Sequence, residues 1–412
     1  MSHTSIVQEL VDYYNAPENK DFNEQFRQSF ALAHSTGLAV FDEYNVHSVD
    51  DYFNYMDTYV NWIPTEDRTG TNVFNHICLF YFIIDMPPIS QQQDPIDPKT
   101  TPPFRFLSDW LVRYAQDMGT WMDTPESINQ AAIDSFYLAE SYHMWDYPVP
   151  PGGWKTFNEF FARHIDPKVR PVAPDTDSEI VITSPADCSY DGQWVVDDQA
   201  EVNTFSVKGV PWSISQLLED TQYGPAFAGG VFTHSFLGPN DYHRQHAPVS
   251  GTIVEAKVIP GLCYLEVVLK DDPASPSGRP KLHMHRPLRS KKQTHGIIDP
   301  ATVVAAPTES IDAPDTAGYQ FIQARGLILI DNPDLGLVAV LPIGMAQVSS
   351  VVLSEGIVPG ATVEKGQEIS KFQLGGSDIV MVFQKDAQVK IDQVDGVHYN
   401  YGTKVATAPR KK

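Results

Sequence analysis

The sequence contains few cysteines, and none of them stands at a spacing that builds a metal centre. Its three cysteines, Cys78, Cys188 and Cys263, lie far apart, and no CxxC or other zinc motif links them. Structural zinc sites and disulfide frameworks both need clustered or paired cysteines, so this pattern argues against both. We therefore expect reduced, buried thiols in a cytoplasmic protein.

Basic residues are also scarce. Lys and Arg number 29 against 52 Asp and Glu, which leaves a formal net charge of −23. So acidic a chain repels nucleic acids and anionic lipid headgroups at long range. We expect no nucleic-acid partner and no attachment to membranes.

No apolar run is long enough to cross a bilayer. The most apolar stretch is HICLFYFIIDMPP at 76–88, whereas a membrane-spanning helix needs roughly 20 apolar residues. This stretch therefore predicts a buried helix. The first residues, MSHTSIVQELVDYY, have neither the basic nor the apolar segment of a signal peptide. Both observations again favour a cytoplasmic location.

What is present points to two regions, since 412 residues exceed the usual size of one hydrophobic core. Residues 1–150 predict a helical N-terminal domain, in which Phe22, Phe26 and Phe30 recur at helical spacing. The proline and glycine cluster DYPVPPGGW at 146–154 predicts a domain boundary. Behind it, Thr156 and Glu159 occupy capping-box positions and predict a short helix.

From about residue 178 onwards, short β-rich runs separated by turn residues predict a second domain over 151–412. Examples are EIVITS, GGVFTHSFL, GTIVEAKVI, LGLVAVLPI and IVMVF, and DNPDLG between two such runs predicts a hairpin. The fold class is therefore α+β, with a mainly antiparallel β-region after the helices. Residues 270–317, rich in Pro, Asp and Ser, predict one long loop beside the β-region.

Three stretches of the β-region concentrate reactive side chains. They are SPADCSYDG with Asp187, FLGPNDYHRQHAPVSGTI with His243 and His246, and KFQLGGSDIVMVF with Ser377. An Asp, a His and a Ser on separate segments can converge as the orienting group, the base and the nucleophile of one site. Spacing alone favours structural roles for these residues, because the chain has 13 histidines and chance combinations are common.

In this order the stretches resemble the phosphatidylserine decarboxylase family. FFARHIDPKVRPV at 160–172 resembles the entry motif of that family, SPAD its turn motif, and DYHRQHAPVSGTI its histidine block. GATVEKGQEISKFQLGGS is similar to the approach to its self-cleavage serine. The resemblance covers residues 155–400. The helical region resembles, more loosely, the N-terminal domain of members that decarboxylate free L-tryptophan.

The resemblance implies a zymogen that cuts itself between Gly376 and Ser377. The Ser377 oxygen would attack the Gly376 carbonyl, turning the amide into an ester. Elimination would then release the upstream chain and leave dehydroalanine, which hydrolyses with loss of ammonia to a covalent pyruvoyl group. This group would replace pyridoxal phosphate as the cofactor. Residues 1–376 and 377–412 would stay associated, and a homo-oligomer is compatible with the sequence.

The resemblance also implies a role for each candidate residue. His246 would be the base that takes the proton of Ser377, and Asp187 would orient His246. His243 would assist decarboxylation or protonate the product, and no metal is implied. The glycines at 375 and 376 fit a bent backbone at the cut, because glycine adopts unusual dihedral angles at little cost.

The sequence departs from the family pattern at two positions. Asp378 follows the cleavage serine where the family usually has Ser or Thr, and Cys188 follows Asp187 where it usually has Gly. A carboxylate next to Ser377 could disfavour anionic intermediates or act as an extra base. We expect Asp378 to affect the rate of cleavage more than its position.

The substrate stays open between two classes. A free aromatic L-amino acid, such as tryptophan, fits the absence of an anchor, whereas phosphatidylserine is the alternative. The basic stretch at 279–292 could dock on a lipid surface, or could be an ordinary solvated loop. A third possibility is a binding module without activity, because EGIVPGATVEKGQEI has the glycine spacing of hammerhead domains. The histidines of HMH and His295 lack further ligands at metal-binding spacing.

Overall fold

A computed structural model describes residues 3–97, 99–202, 212–219, 221–271, 280–285, 297–298, 318–346, 351–374 and 377–411. The described helices are α1 Ser5–Asn15, α2 Lys20–Ser35, α3 Ala39–Glu43, α4 Val49–Val60, α5 Asn72–Ile84, α6 Phe106–Met122, α7 Gln130–Phe136, α8 Phe157–Phe161 and α9 Ile214–Leu217. Most of them precede residue 150, as predicted.

Helix α5 is the predicted buried helix. All residues from Ile77 to Ile84 are buried, so the helix has no polar face along this stretch. Aromatic side chains of α6 pack beside it, and their polar atoms donate hydrogen bonds to backbone carbonyl groups of other helices. Trp110 donates to the Ile6 carbonyl at 2.8 Å, and the Tyr114 hydroxyl donates to the Met56 carbonyl at 2.7 Å. None of the helices in the described ranges is long and apolar enough to span a membrane.

The rest of the chain is mainly β-structure, which confirms the α+β prediction. The described strands are β1 Glu179–Thr183, β2 Cys188–Val195, β3 Glu201–Val202, β4 Trp212–Ser213, β5 Val231–Leu237, β6 Arg244–His246, β7 Gly251–Ile259, β8 Glu266–Lys270, β9 Lys281–His285, β10 Ile297–Ile298, β11 Arg325–Asn332, β12 Gly336–Gly344, β13 Val351–Leu353, β14 Thr362–Val363, β15 Glu368–Phe372, β16 Ser377–Phe383, β17 Lys390–Ile391, β18 His398–Tyr399 and β19 Lys404–Pro409.

The main sheet has eight strands in the order β14-β7-β11-β12-β16-β5-β2-β18, and its neighbours pair antiparallel. Strand β16 lies in its interior between β12 and β5, and all seven of its residues are buried. Side chains of a strand alternate between faces. Ile379 and Met381 accordingly join the core cluster that includes the N-terminal helices, whereas Val380 and Val382 join a second core on the other face.

Three smaller sheets also contribute to the region around the site. One has the order β13-β15-β6, one β1-β19-β17, and one β10-β8-β9. The pairing of β15 with β6 sets Glu368 opposite His246. The predicted hairpin at DNPDLG is confirmed, since β11 and β12 pair from Asn332 and Gly336 onwards.

The prediction of one long loop over 270–317 is wrong for part of its length. Residues 281–285 form β9, and Ile297 and Ile298 pair with β8. The reason is visible in KLHMH, where Leu282 and Met284 are buried whereas Lys281 and His283 are more exposed. This period-2 pattern is typical of a strand, although its charge favours a loop. The rest of the basic stretch, 286–292 and residue 279, lies outside the described residues.

The predicted short helix after the boundary is confirmed as α8. The Thr156 side chain accepts a hydrogen bond from the Glu159 backbone nitrogen at 3.2 Å, which is half of the predicted capping box. The Glu159 carboxylate accepts instead from the Lys155 nitrogen, one residue earlier. The three cysteines are free and buried, as predicted. The division of the chain near residue 150 stays a prediction.

Candidate active site

Ser377 begins strand β16 and is completely buried. Its neighbours across the ladder are Gly344 on β12 and Leu237 on β5. The Oγ atom has no hydrogen-bond partner among the described residues. A buried hydroxyl without a partner costs about 1–3 kcal/mol, so such an atom needs an explanation, and a catalytic role is one. Gly375 and Gly376 lie outside the described residues.

His243 is a fully buried, neutral imidazole. Its ring stacks on Phe161 of α8, with centroids 4.0 Å apart, and Nε2 lies 3.3 Å from the Pro239 carbonyl oxygen. A carbonyl can only accept, so Nε2 carries the proton and Nδ1 presents a lone pair. Nδ1 has no partner in the described structure. Burial lowers the pKa of His243 to about 3.

His246 on β6 has both ring nitrogens engaged. Nδ1 lies 2.8 Å from the Gly366 carbonyl oxygen, and Nε2 lies 3.2 Å from the Tyr242 hydroxyl. Nδ1 therefore donates, and Nε2 has the lone pair that a base needs. The ring also stacks on Tyr401, at 3.8 Å and 6° between planes. Burial lowers the pKa of His246, which keeps it neutral.

Asp187 does not hydrogen-bond to His246, the residue that it is predicted to orient. Its carboxylate accepts from the Arg170 guanidinium, with Nη2 to Oδ2 at 2.7 Å, and from the Tyr401 backbone nitrogen at 2.7 Å. Tyr401 thus links the two, because its nitrogen donates to Asp187 while its ring stacks on His246. The orienting role of Asp187 stays a prediction, with Tyr401 as its physical route.

Sequence reasoning missed a second group of charged residues beside Ser377. His234 on β5 is fully buried, with Nδ1 3.0 Å from Asp191 Oδ2 and Nε2 3.5 Å from Asp378 Oδ1. Burial alone would lower the pKa of His234, but the Asp378 and Asp191 carboxylates outweigh it and raise the pKa to about 9. One signal was available: His234 and Asp378 each interrupt an apolar strand.

Two cavities border the loop that joins β5 to β6. One, of about 420 Å³, is lined by Asp187, Arg170, Asp241 and Tyr242 among others. The other, of about 690 Å³, lies between the helical region and β9 and includes Phe74, Tyr142 and Leu282. Asn240 and Ser141 line both, so the cavities adjoin.

In the described ranges, no group of three or more His, Cys, Asp or Glu side chains is placed to hold a metal ion.

Comparisons with known proteins identify the family. The phosphatidylserine decarboxylase family matches residues 157–407 of the chain. That range takes in α8, the main sheet and the four residues Asp187, His243, His246 and Ser377. The chain therefore belongs to the phosphatidylserine decarboxylase family, and the predicted family is confirmed.

Individual relatives differ in the substrates that their names carry. The chain is 29% identical over 287 residues to the decarboxylase iboD of Amanita muscaria, covering 68% of the chain and 73% of the relative. It is 28% identical over 266 residues to phosphatidylserine decarboxylase proenzyme 3 of Schizosaccharomyces pombe, covering 65% and 22%. It is 26% identical over 262 residues to the L-tryptophan decarboxylase of Psilocybe cyanescens, covering 61% and 51%. The chain thus spans about half or less of the last two.

Proposed function

We propose that this chain is a carboxy-lyase that cuts itself between Gly376 and Ser377 and then decarboxylates a free aromatic L-amino acid to its amine. The observation that carries the proposal is the Ser377 hydroxyl, which is fully buried and has no hydrogen-bond partner in the described structure. A serine that served only packing would be expected to satisfy its hydroxyl.

The residues around Ser377 fit a pyruvoyl group made from this serine. The Oγ–carbon bond to Gly376 would form as the Gly376–Ser377 amide breaks, with the proton of Oγ passing to a base and the freed nitrogen gaining one. Elimination and hydrolysis would then leave the new group at the start of β16. When formed, this group supplies a carbonyl next to an amide that takes up the electron pair left by CO₂.

His246 is the proposed base for self-cleavage. It is neutral, and the hydrogen bond from Nδ1 to Gly366 leaves the Nε2 lone pair available once Tyr242 turns aside. Tyr401, held by Asp187, keeps the imidazole plane fixed by stacking. This division resembles the roles of base and orienting group in serine hydrolases, used here on the chain itself.

His243 is the proposed residue for the decarboxylation step. Its Nδ1 lone pair is buried and unpartnered, and its ring is fixed between Phe161 and the Pro239 carbonyl. Nδ1 is therefore the atom that would take a proton from the substrate ammonium group as the imine forms and would return it to the carbon that loses the carboxylate. Nδ1 is itself buried, which keeps bulk water away from it.

The larger cavity supports a small aromatic substrate. Its volume of about 690 Å³ falls in the range of small-molecule sites, about 300–1,000 Å³. Aromatic and aliphatic side chains line it together with Pro239 and Asn240, which follow Leu237, the residue paired with Ser377. A bound side chain would therefore lie near the start of β16, where Ser377 stands.

Phosphatidylserine is the second candidate substrate. The family match and the name of the Schizosaccharomyces pombe relative favour it. Lys281 and His283 line the same cavity, together with Glu43. A lipid would place its headgroup in the cavity and its chains outside. CO₂ release from a panel of free L-amino acids and from phosphatidylserine vesicles separates the two, since exclusive turnover of the lipid contradicts our proposal.

Self-cleavage is tested with Ser377→Ala and His246→Ala. We expect the unaltered protein to give two bands on a denaturing gel. The mass of the short chain should match residues 377–412 with a pyruvoyl group in place of Ser377. Both variants should remain one chain and release no CO₂. An uncut wild-type chain with full decarboxylase activity contradicts the mechanism, and an uncut inactive chain favours a binding module.

A further inference from the structure

A buried charged cluster lies next to the proposed cut, on the other face of the main sheet. Neighbouring residues of a strand point to opposite faces, so Asp378 faces away from the Ser377 side chain. Its carboxylate lies in a wholly buried position against His234. The Gln320 side-chain amide lies 3.3 Å from the same ring nitrogen of His234, where its oxygen accepts from an imidazolium when the amide is turned over.

The strand register brings these groups together. In the β16–β5 ladder Val380 stands opposite His234, so Asp378 is the diagonal neighbour of His234 on the same face. In the β2–β5 ladder the register shifts between Tyr190 and Gly192, which leaves Asp191 as the extra residue of a bulge. Bulges redirect side chains, and here the bulge sets Asp191 against the other nitrogen of His234.

The cluster also spans the two chains that self-cleavage would create. His234 and Asp191 would belong to residues 1–376, whereas Asp378 would be the second residue of the short chain. This inference therefore rests on the proposed function. Asp378 is also the residue at which the chain departs from the family pattern, so its pairing with His234 gives that departure a physical context.

Charge compensation is the physical consequence. A buried carboxylate without a counter-charge is costly, and its field acts strongly at short range in a water-excluded interior. An uncompensated Asp378 would oppose the negative charge that develops when the Ser377 oxygen attacks the Gly376 carbonyl. An imidazolium at His234, which also faces the Asp191 carboxylate, offsets that field and holds the Asp378 carboxylate on the far face.

We propose that His234 is a positioning residue for self-cleavage: it pairs with Asp378 on the neighbouring strand, offsets the charge of that carboxylate, and leaves Ser377 free to react on the opposite face. The same pairing excludes Asp378 as a base, because its carboxylate is already engaged. After cleavage, the pair ties the modified end of the short chain to the long chain.

The test is a double-mutant cycle on the rate of self-cleavage of the full chain. His234→Gln leaves Asp378 uncompensated, and we expect cleavage to slow at least about tenfold. Asp378→Asn removes the charge and should cleave within about threefold of wild type. The double variant H234Q/D378N should recover the rate of D378N. A double variant as slow as H234Q overturns the proposal, because packing alone would then explain the loss.

His76→Gln is the matched control, since His76 is a partly buried histidine of α5 that packs among aromatic rings away from the main sheet. It should cleave like wild type.

Should H234Q not fold, as judged by thermal melting, Asp191→Asn takes its place, because it keeps the His234–Asp378 pair. Cleavage within about threefold supports the proposal, and a tenfold loss overturns it. A wild-type chain that is never cut contradicts the proposed function instead, whereas a cut wild type with unaffected H234Q contradicts only this inference.

Discussion

Replacement of Arg170 by Gln tests how Asp187 acts on the base. The Arg170 and Asp187 side chains are only 10% and 4% exposed, and the guanidinium approaches the carboxylate at 2.7 Å. Removing one partner of a buried ion pair costs about 3–5 kcal/mol. Asp146 lies 3.9 Å from Arg170 and also loses this ion-pair partner in the variant. Since a glutamine retains some hydrogen bonding, we expect a loss near the lower limit, about 3 kcal/mol.

The same change should slow self-cleavage. Without the guanidinium, Asp187 loses the group that fixes its carboxylate, and the Tyr401 nitrogen that donates to it is held less firmly. The Tyr401 ring then stacks less regularly on His246. We expect Arg170→Gln to cleave at least about tenfold more slowly, which corresponds to about 1.4 kcal/mol in the barrier.

Two assays separate these effects. Urea unfolding in a Ser377→Ala background measures stability on a single uncut chain, and gel densitometry of newly made protein measures the cleavage rate. Arg113→Gln is the control, because Arg113 forms partly exposed ion pairs on α6 and should cost about 1 kcal/mol or less without changing cleavage. If Arg170→Gln is destabilised as expected but cleaves at the wild-type rate, the route from Asp187 through Tyr401 is wrong.

Two further predictions follow from the histidines. The pKa of His234 is raised from 6.5 to about 9 in the folded chain, so its stabilisation is complete below pH 6.5 and is lost as the pH rises through 9. We expect the Ser377→Ala chain to lose about 3 kcal/mol of unfolding free energy over this range, and an equal loss in the His234→Gln chain contradicts the assignment. His243→Ala should still form the short chain with its pyruvoyl mass yet release CO₂ at least about a hundredfold more slowly; full turnover means that another group delivers the proton.

The parts of the fold that could be predicted are those in which local pattern and burial agree. The apolar residues of α5 and of strand β16 are sufficient to predict that both elements are buried. The hairpin between β11 and β12 follows from its turn residues in the same way. Strand β9 shows the opposite case, because its alternation favours a strand while its basic residues favour a loop.

The partners of the site residues could not be predicted, because they depend on register between distant strands. The motif order identified Asp187 and His246, but the bond from Asp187 goes to Arg170 and to a backbone nitrogen. The pairing of Asp378 with His234 likewise requires knowledge that β16 lies beside β5 and that His234 stands opposite Val380. No periodicity within either strand contains that information.

The interior position of β16 has a consequence for how long the mature protein stays folded. Under the proposed cleavage, a strand between β12 and β5 would belong to a separate short chain. Before cleavage, unfolding can be reversed by one chain acting alone; afterwards, two chains must meet again, and refolding depends on their concentration. Maturation would therefore convert thermodynamic stability into kinetic stability, with the lifetime of the enzyme set by the rate at which the sheet first opens.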